Sequence, residues 1–379
     1  MQAFFATAAK GTEGAVRDEL RSLRFRGVRA DRGGVHFSGE LSEGARACVE
    51  LRTPMRVLVQ LARFDAPSED ALYEGVRRVA WEEHLTAKTT LAVRASTRSS
   101  ALTHSRYVAQ KAKDAIVDRL RERLGARPDV DLEDPDAVVS VHLAKDLATL
   151  YLDLSGQPLF LRGYRTEHHG APLKETLAAS LLFVGGWATD RDAFIDPMCG
   201  SGTIAIEAAL LAEGRAPGTI SERRFGFERW ASFNTSARAA LAQLKERAAE
   251  RAERARRAPR PPIWGFDVDG GAVEIARANA RRAGVDVRFD RRDARDLRLA
   301  EPTTLVTNPP YGERISMTEA AWREAAAALT RDPDARVGLI LGHPDMLRAI
   351  RTRPNKVITM MNGDLECGFA MFGRPARAT

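Results

Sequence analysis

Short apolar runs and helical stripes divide the chain into two halves of different rhythm. In the first half, residues 3–8 are apolar, Gly11-Thr12-Glu13-Gly14 opens a helix reaching about Leu23, and Gly33-Gly34 leads into Val35-His36-Phe37. That pattern predicts strand, helix, strand. A second unit extends from about Met55 to Leu154, within which Leu91-Ala92-Val93-Arg94-Ala95 alternates as a strand. Val108, Ala112, Ala115, Ile116 and Leu120 then recur at helical spacing until Gly125 and Pro128 end the run. Runs at 138–143 and 147–154, joined by Ala144-Lys145-Asp146, predict a hairpin. This half is mixed α+β with antiparallel pairing.

From Asp192 onward strands alternate with helices, the mark of a doubly wound, mostly parallel α/β sheet. Strands are expected at 193–195, 263–266, 285–289, 304–307 and 337–341, with helices at 204–211 and 272–283, the second stopped by Gly284. The runs 356–361 and 365–372 flank Asn362-Gly363 and predict an antiparallel edge hairpin. Residues 157–170 read as a linker. Pro172 then starts a helix with Leu173, Leu177, Leu181 and Val184 on its apolar face. The Ala, Arg, Glu and Lys tract at 236–260 predicts a long solvated helix whose arginines could also face RNA.

Length and composition narrow the class. The 379 residues suffice for two or three domains, and 44% hydrophobic with 29% charged residues is ordinary for a globular protein. No apolar run approaches the roughly 20 residues that span a bilayer, and no positive charge precedes the apolar N-terminus as a signal peptide requires. Cys48, Cys199 and Cys367 lie far apart, so neither a metal site nor a disulfide framework is expected and a cytoplasmic setting is the simplest. His168-His169 lacks a second ligand pair, so no metal is assigned there. A net charge of +7 and a pI of 9.6 favour a polyanionic partner. Arg94 and Arg98, with Arg106, Lys111 and Lys113 off the stripe of the following helix, are candidate phosphate contacts. Taken singly, each is better read as part of a solvated surface.

The chemistry lies in the α/β half. Asp196-Pro197-Met198-Cys199-Gly200-Ser201-Gly202-Thr203 joins the first strand to the first helix, where doubly wound folds bind nucleotides. Glycines there admit a ligand close to the backbone. A dinucleotide enzyme would place its ribose-binding acid about 20 residues further on; here Asp267 arrives much later, after the inserted tract. Asp196 can instead attract the ammonium of an amino-acid moiety, which suits S-adenosylmethionine. Asp267 then suits the ribose hydroxyls, and Asp293, followed by Ala294, suits the adenine amino group.

Asn308-Pro309-Pro310-Tyr311 follows the fourth strand. An exocyclic purine nitrogen is a poor nucleophile because its lone pair is delocalised into the ring. Two acceptors, the Asn308 side-chain oxygen and the Pro309 carbonyl, would localise that pair, and the prolines stiffen the loop. Tyr311 offers a face for a base taken out of its stack. Beside this stands the plainer possibility of an ordinary Pro-Pro loop.

These segments resemble the THUMP-domain RNA methyltransferases, in particular the bacterial branch that forms N2-methylguanosine in large-subunit rRNA. The resemblance covers nearly the whole chain. It is carried by 108–120, Arg162-Gly-Tyr-Arg165, 172–177, 196–203, 225–230, 308–314 and 362–367. It implies a ferredoxin-like region at 1–54, a THUMP domain at 55–155, a linker at 156–171 and a Rossmann-like methyltransferase at 172–379. It also implies Asn308 and Pro309 as the amine-binding pair, S-adenosylmethionine as cofactor, and a monomer acting on RNA. Some relatives carry a second methyltransferase domain beyond the position of Thr379. Two readings stay open: rRNA or tRNA as target, and a non-catalytic RNA-binding scaffold. An adenine-N6 DNA or protein-glutamine methyltransferase could share the tetrapeptide, but the basic α+β N-terminal half disfavours both. A carbon-5 pyrimidine methyltransferase would need a cysteine nucleophile, which 308–311 lack.

Overall fold

In the computed structural model, which describes residues 1–166, 173–299, 302–310 and 317–375, two seven-stranded sheets organise the chain. The first is built from β1 (Gln2–Thr7), α1 (Glu13–Ser22), β2 (Arg26–Asp31), β3 (Gly34–Gly39), α2 (Leu41–Glu50) and β4 (Arg56–Asp65). It continues through α3 (Glu69–Arg77), β5 (Leu91–Arg98), α4 (Ser105–Leu124), β6 (Ala137–Ala144) and β7 (Leu147–Asp153). The strand order β2-β3-β1-β4-β7-β6-β5 makes one continuous sheet, antiparallel except between β5 and β6. The βαββαβ opening is the ferredoxin-like pattern. Its β2 and α2 go beyond the strand-helix-strand expectation. Every residue of β2 except Val28 is exposed, so it leaves no apolar signal. The stripe Val108, Ala112, Ala115, Ile116 and Leu120 is buried in α4 as its spacing requires.

The second sheet is built from α5 (Glu175–Gly185), β8 (Ala193–Asp196), α6 (Thr203–Ala212), α7 (Thr235–Arg256), β9 (Ile263–Asp267), α8 (Gly270–Ala283) and β10 (Arg288–Arg291). It closes with β11 (Thr303–Thr307), α9 (Glu319–Leu329), β12 (Arg336–Leu341), α10 (Pro344–Arg348), β13 (Lys356–Asn362) and β14 (Leu365–Gly373). Order β10-β9-β8-β11-β12-β14-β13 is the doubly wound arrangement, parallel through β12 with an antiparallel edge hairpin.

Four local expectations shift. The third parallel strand pairs at 288–291 rather than 285–289, because the Val285 N–H bonds back to the Ala280 carbonyl (3.2 Å) and closes α8 first. Helix α5 starts at Glu175, since Lys174 is extended and Arg165 takes the Leu173 carbonyl at 2.7 Å. Pro172 and His168-His169 lie outside the described residues. Helix α7 is not simply solvated: Leu241 and Ala248 are buried in the N-terminal core, and Arg251 reaches Glu50 of α2 at 2.6 Å. The edge turn falls on Gly363-Asp364, with Asn362 still paired to Leu365.

A buried polar node ties the halves together. Arg162 donates to the Arg52 carbonyl (2.5 Å), the Leu159 carbonyl (2.6 Å) and Glu207 of α6 (3.4 Å), and Tyr164 Oη donates to the same carboxylate at 3.1 Å. At the opposite edge the Met361 N–H donates to the Lys10 carbonyl at 3.1 Å. Among the described residues, no helix is long and apolar enough to cross a membrane.

Candidate active site

The chain reverses its winding between β8 and β11, so the crevice beyond their C-terminal ends is the natural ligand site. β8 ends in Asp196 and β11 in Thr307, and the two strands run side by side in parallel. The Thr307 hydroxyl donates to Asp196 Oδ1 at 2.7 Å, with both residues buried. The glycine turn after β8 and the Asn308 loop after β11 therefore open onto the same edge of the sheet.

Asp196 has little else to stabilise its charge. Besides Thr307 it accepts, among the described residues, only a long contact from the Met198 N–H at 3.4 Å, and burial pushes its pKa up to about 7. A cation placed against it would restore the carboxylate. Burial likewise pushes the neighbouring Cys199 thiol well up, which leaves it inert as a nucleophile.

The turn is held from below. The Cys199 N–H donates to the Phe266 carbonyl at 2.8 Å, and the Gly200 N–H to Asp267 Oδ2 at 2.9 Å. Gly200 (φ +51°) and Gly202 (φ +82°) both adopt the left-handed conformation that favours glycine. A Cβ on Gly202 would stand 2.9 Å from both Ala276 and Phe289, whereas one on Gly200 would meet no atom of the described residues within 4 Å. The turn is thus packed against the protein at Gly202 and open towards the crevice at Gly200. Pro197, Ser201 and Thr203 are buried within it. Asp267, half-buried, also accepts from the Asp269 N–H at 3.0 Å, and its two oxygens keep lone pairs for a diol.

At the third strand the picture is more occupied. Asp293 caps the short turn after β10 by accepting from the Arg295 N–H at 2.9 Å, and the Arg295 guanidinium grips it at 2.7 Å. Those hydrogen bonds hold its pKa below the usual carboxylate value. Ala294 is buried against the core beneath.

Beyond β11, Pro309 is buried and Asn308 and Pro310 are half-buried; Tyr311 lies outside the described residues. Asn308 Oδ1 is buried and has no hydrogen-bond partner among the described residues. An unpaired buried acceptor costs roughly 1–3 kcal/mol, so a donor from outside the chain is the natural complement.

Two positioning residues escape sequence reasoning. Thr307 joins the two turns, and Asn279 of α8, wholly buried, donates to the Ser201 carbonyl at 3.0 Å. The only available signals are a hydroxyl at the end of a buried strand and an amide among the alanines of a helix stripe.

The candidate phosphate contacts do not form one patch. Residues 93 and 95 of β5 pack on the core beneath α4, so Arg94 and Arg98 point to the sheet's other face and are exposed. On α4, Lys113 pairs with Asp114 at 2.8 Å and Lys111 lies 5.4 Å from the Tyr73 ring, leaving Arg106 exposed.

This fold and crevice match a methyltransferase class. The family described as RMKL-like, methyltransferase domain matches residues 162–370, the THUMP domain matches 66–153, and the RlmL ferredoxin-like domain matches 3–58. The chain belongs to the RMKL-like methyltransferase family. The ribosomal RNA large subunit methyltransferase K/L of Syntrophotalea carbinolica is 42% identical over 384 residues, covering 97% of this chain and 53% of that protein. This chain thus spans about half the length of the curated relatives it matches. SMU.472, classed provisionally as a methyltransferase and solved with SAH, is 30% identical with a TM-score of 0.86, covering 99% of both chains. A Listeria monocytogenes protein described as a predicted N6-adenine-specific DNA methylase is 31% identical with a TM-score of 0.84, covering 99% of this chain and 96% of that one.

Proposed function

We propose that this chain transfers a methyl group from S-adenosylmethionine to the exocyclic N2 of a guanosine in large-subunit rRNA, in the cytoplasm. The observation that carries the reading is the orphaned Asn308 Oδ1, one residue from the Thr307–Asp196 hydrogen bond. The RNA half of the reading is supported by the THUMP match and by relatives described as acting on large-subunit rRNA.

The residues fit the cofactor. Gly200 leaves open space beside the turn, Asp196 is a buried carboxyl wanting a cation, and Asp267 has lone pairs for the ribose. Asp293, with Ala294, would take the adenine edge on lone pairs that Arg295 leaves. S-adenosylmethionine supplies an activated methyl. Asn308 Oδ1 and the Pro309 carbonyl accept the two N–H bonds of the amine and hold its lone pair toward the cofactor crevice. Holding reactants in register contributes about 7–11 kcal/mol in well-oriented systems, so no dedicated base is required, and the surplus proton leaves to water. Tyr311 is assigned to stack on the base.

The test is nucleoside mass spectrometry after incubating the full chain with labelled S-adenosylmethionine and, separately, large-subunit rRNA, tRNA and DNA. Label in N2-methylguanosine from the rRNA is expected. The same nucleoside from tRNA alone would move the target, and N6-methyladenosine from DNA would overturn the assignment.

A pH dependence follows from Asp196. The free protein holds this carboxyl protonated below about pH 7, whereas the ammonium-bound form needs it ionised, so binding releases a proton. Cofactor affinity should therefore rise by about tenfold per pH unit well below 7 and level off above it. Calorimetry in buffers of different ionisation enthalpy measures that proton. Asp196→Asn should bind weakly with no such slope; a retained slope would assign the titration elsewhere.

A further inference from the structure

We propose that the open face of the N-terminal sheet is a stacking platform for the unpaired bases of single-stranded RNA. The inference rests on the RNA-substrate reading above and deepens it by naming the form of RNA this half takes.

The face is defined by alternation. Phe4 and Ala6 of β1, with Val35 and Phe37 of β3, enter the core, so Phe5 and His36 stand on the opposite side. There the Phe5 ring centroid lies 4.8 Å from His36 and 6.0 Å from Tyr151 of β7. The rings form a row that bridges β4. Tyr151 is almost covered and backs the row, while Phe5 and His36 are half-buried and offer their outer surfaces.

Cations flank the row. Arg63 of β4 is exposed and acts electrostatically on both His36 and Tyr151. Register carries the same face outward from Tyr151 through Ser140 to Arg94, and Arg98 follows four pairs further along β5 on the same face. Arg63, Arg94 and Arg98 have no ion-pair partner among the described residues. The acids that register places on this face are Asp31, which is within 3.3 Å of His36 and 3.6 Å of Arg29, the buried Asp153, which pairs with Arg56, and the exposed Asp65 at the end of β4.

Half-exposed rings in line, bordered by unpaired arginines, complement a chain with both π-faces and phosphates. A duplex hides its bases within the stack and could use only the arginines. A single strand uses both features, stacking successive bases on the rings while the arginines track its phosphates. Single-stranded RNA is therefore the occupant this face fits.

The experiment uses the full chain, a fluorescein-labelled 12-nucleotide single-stranded RNA and a hairpin RNA of equal composition, with affinities read by fluorescence polarisation. Phe5→Ala should weaken single-strand binding by at least about tenfold and change hairpin binding less than twofold. Arg63→Glu with Arg94→Glu, which removes no core packing, should also weaken single-strand binding and flatten its salt dependence by about two phosphate contacts. The platform is refuted if both variants bind the single strand within twofold of the parent, or if Phe5→Ala weakens hairpin and single strand equally. Should the parent protein bind neither RNA, the failure lies with the RNA reading of the whole chain.

Discussion

Asn308→Ala is expected to slow methyl transfer by about 10²–10³-fold, the effect of removing one preorganised hydrogen-bonding group aimed at a reacting centre. Affinity for S-adenosylmethionine should stay within about twofold, because the groups that would hold the cofactor sit on β8, β9 and β10 rather than on the Asn308 loop. The free enzyme should be no less stable, since Asn308 Oδ1 makes no hydrogen bond among the described residues and its removal relieves an unpaired buried acceptor. Asn308→Asp gives a second view. It keeps an acceptor but adds charge near Asp196, whose burial already opposes ionisation, and should recover only part of the rate. Single-turnover kinetics beside equilibrium cofactor binding separates the outcomes. A variant that loses cofactor binding and rate in parallel would make Asn308 a structural residue.

Arg162→Met should destabilise the protein by about 3–5 kcal/mol, the usual consequence of removing one partner of a buried ion pair. Glu207 is wholly buried, and its Oε2 already lacks a partner among the described residues. Without Arg162 its remaining hydrogen bond among the described residues is the one from Tyr164. The Arg52 and Leu159 carbonyls would lose a donor at the same time. Adding Glu207→Gln to Arg162→Met removes the stranded charge and should restore a substantial part of the loss. Urea titration followed by both fluorescence and circular dichroism reads the effect. A single variant within about 0.5 kcal/mol of the parent would show that the node carries no net stability.

What the sequence discloses follows from which interactions leave a periodic trace. The α4 stripe, the glycine turn and the strands of the second half other than the third are local patterns, and the structure places them where the spacing puts them. β2 leaves no trace because its side chains are nearly all in solvent. The buried side of α7 was hidden because alanines and long arginine stems read alike on solvated and packed faces. Val285 and Val287 look like strand residues yet pack as the exit of α8 before pairing begins. Asp196, Asp267 and Asn308 stand out by type and position, but Thr307 acquires meaning only when β8 and β11 are neighbours. Arg94 and Arg106 lie close in sequence yet on opposite sides of a sheet, which no count of charges reveals.

The central claim is that the turn after β8 and the loop after β11 hold donor and acceptor of the methyl group in one crevice. A crystal structure of the chain soaked with S-adenosylhomocysteine tests this most directly. The expected result is a methionine ammonium on Asp196, a ribose on Asp267 and a sulfur facing Asn308 Oδ1. A ligand bound elsewhere, or seated in the turn with its sulfur directed away from Asn308, would contradict it.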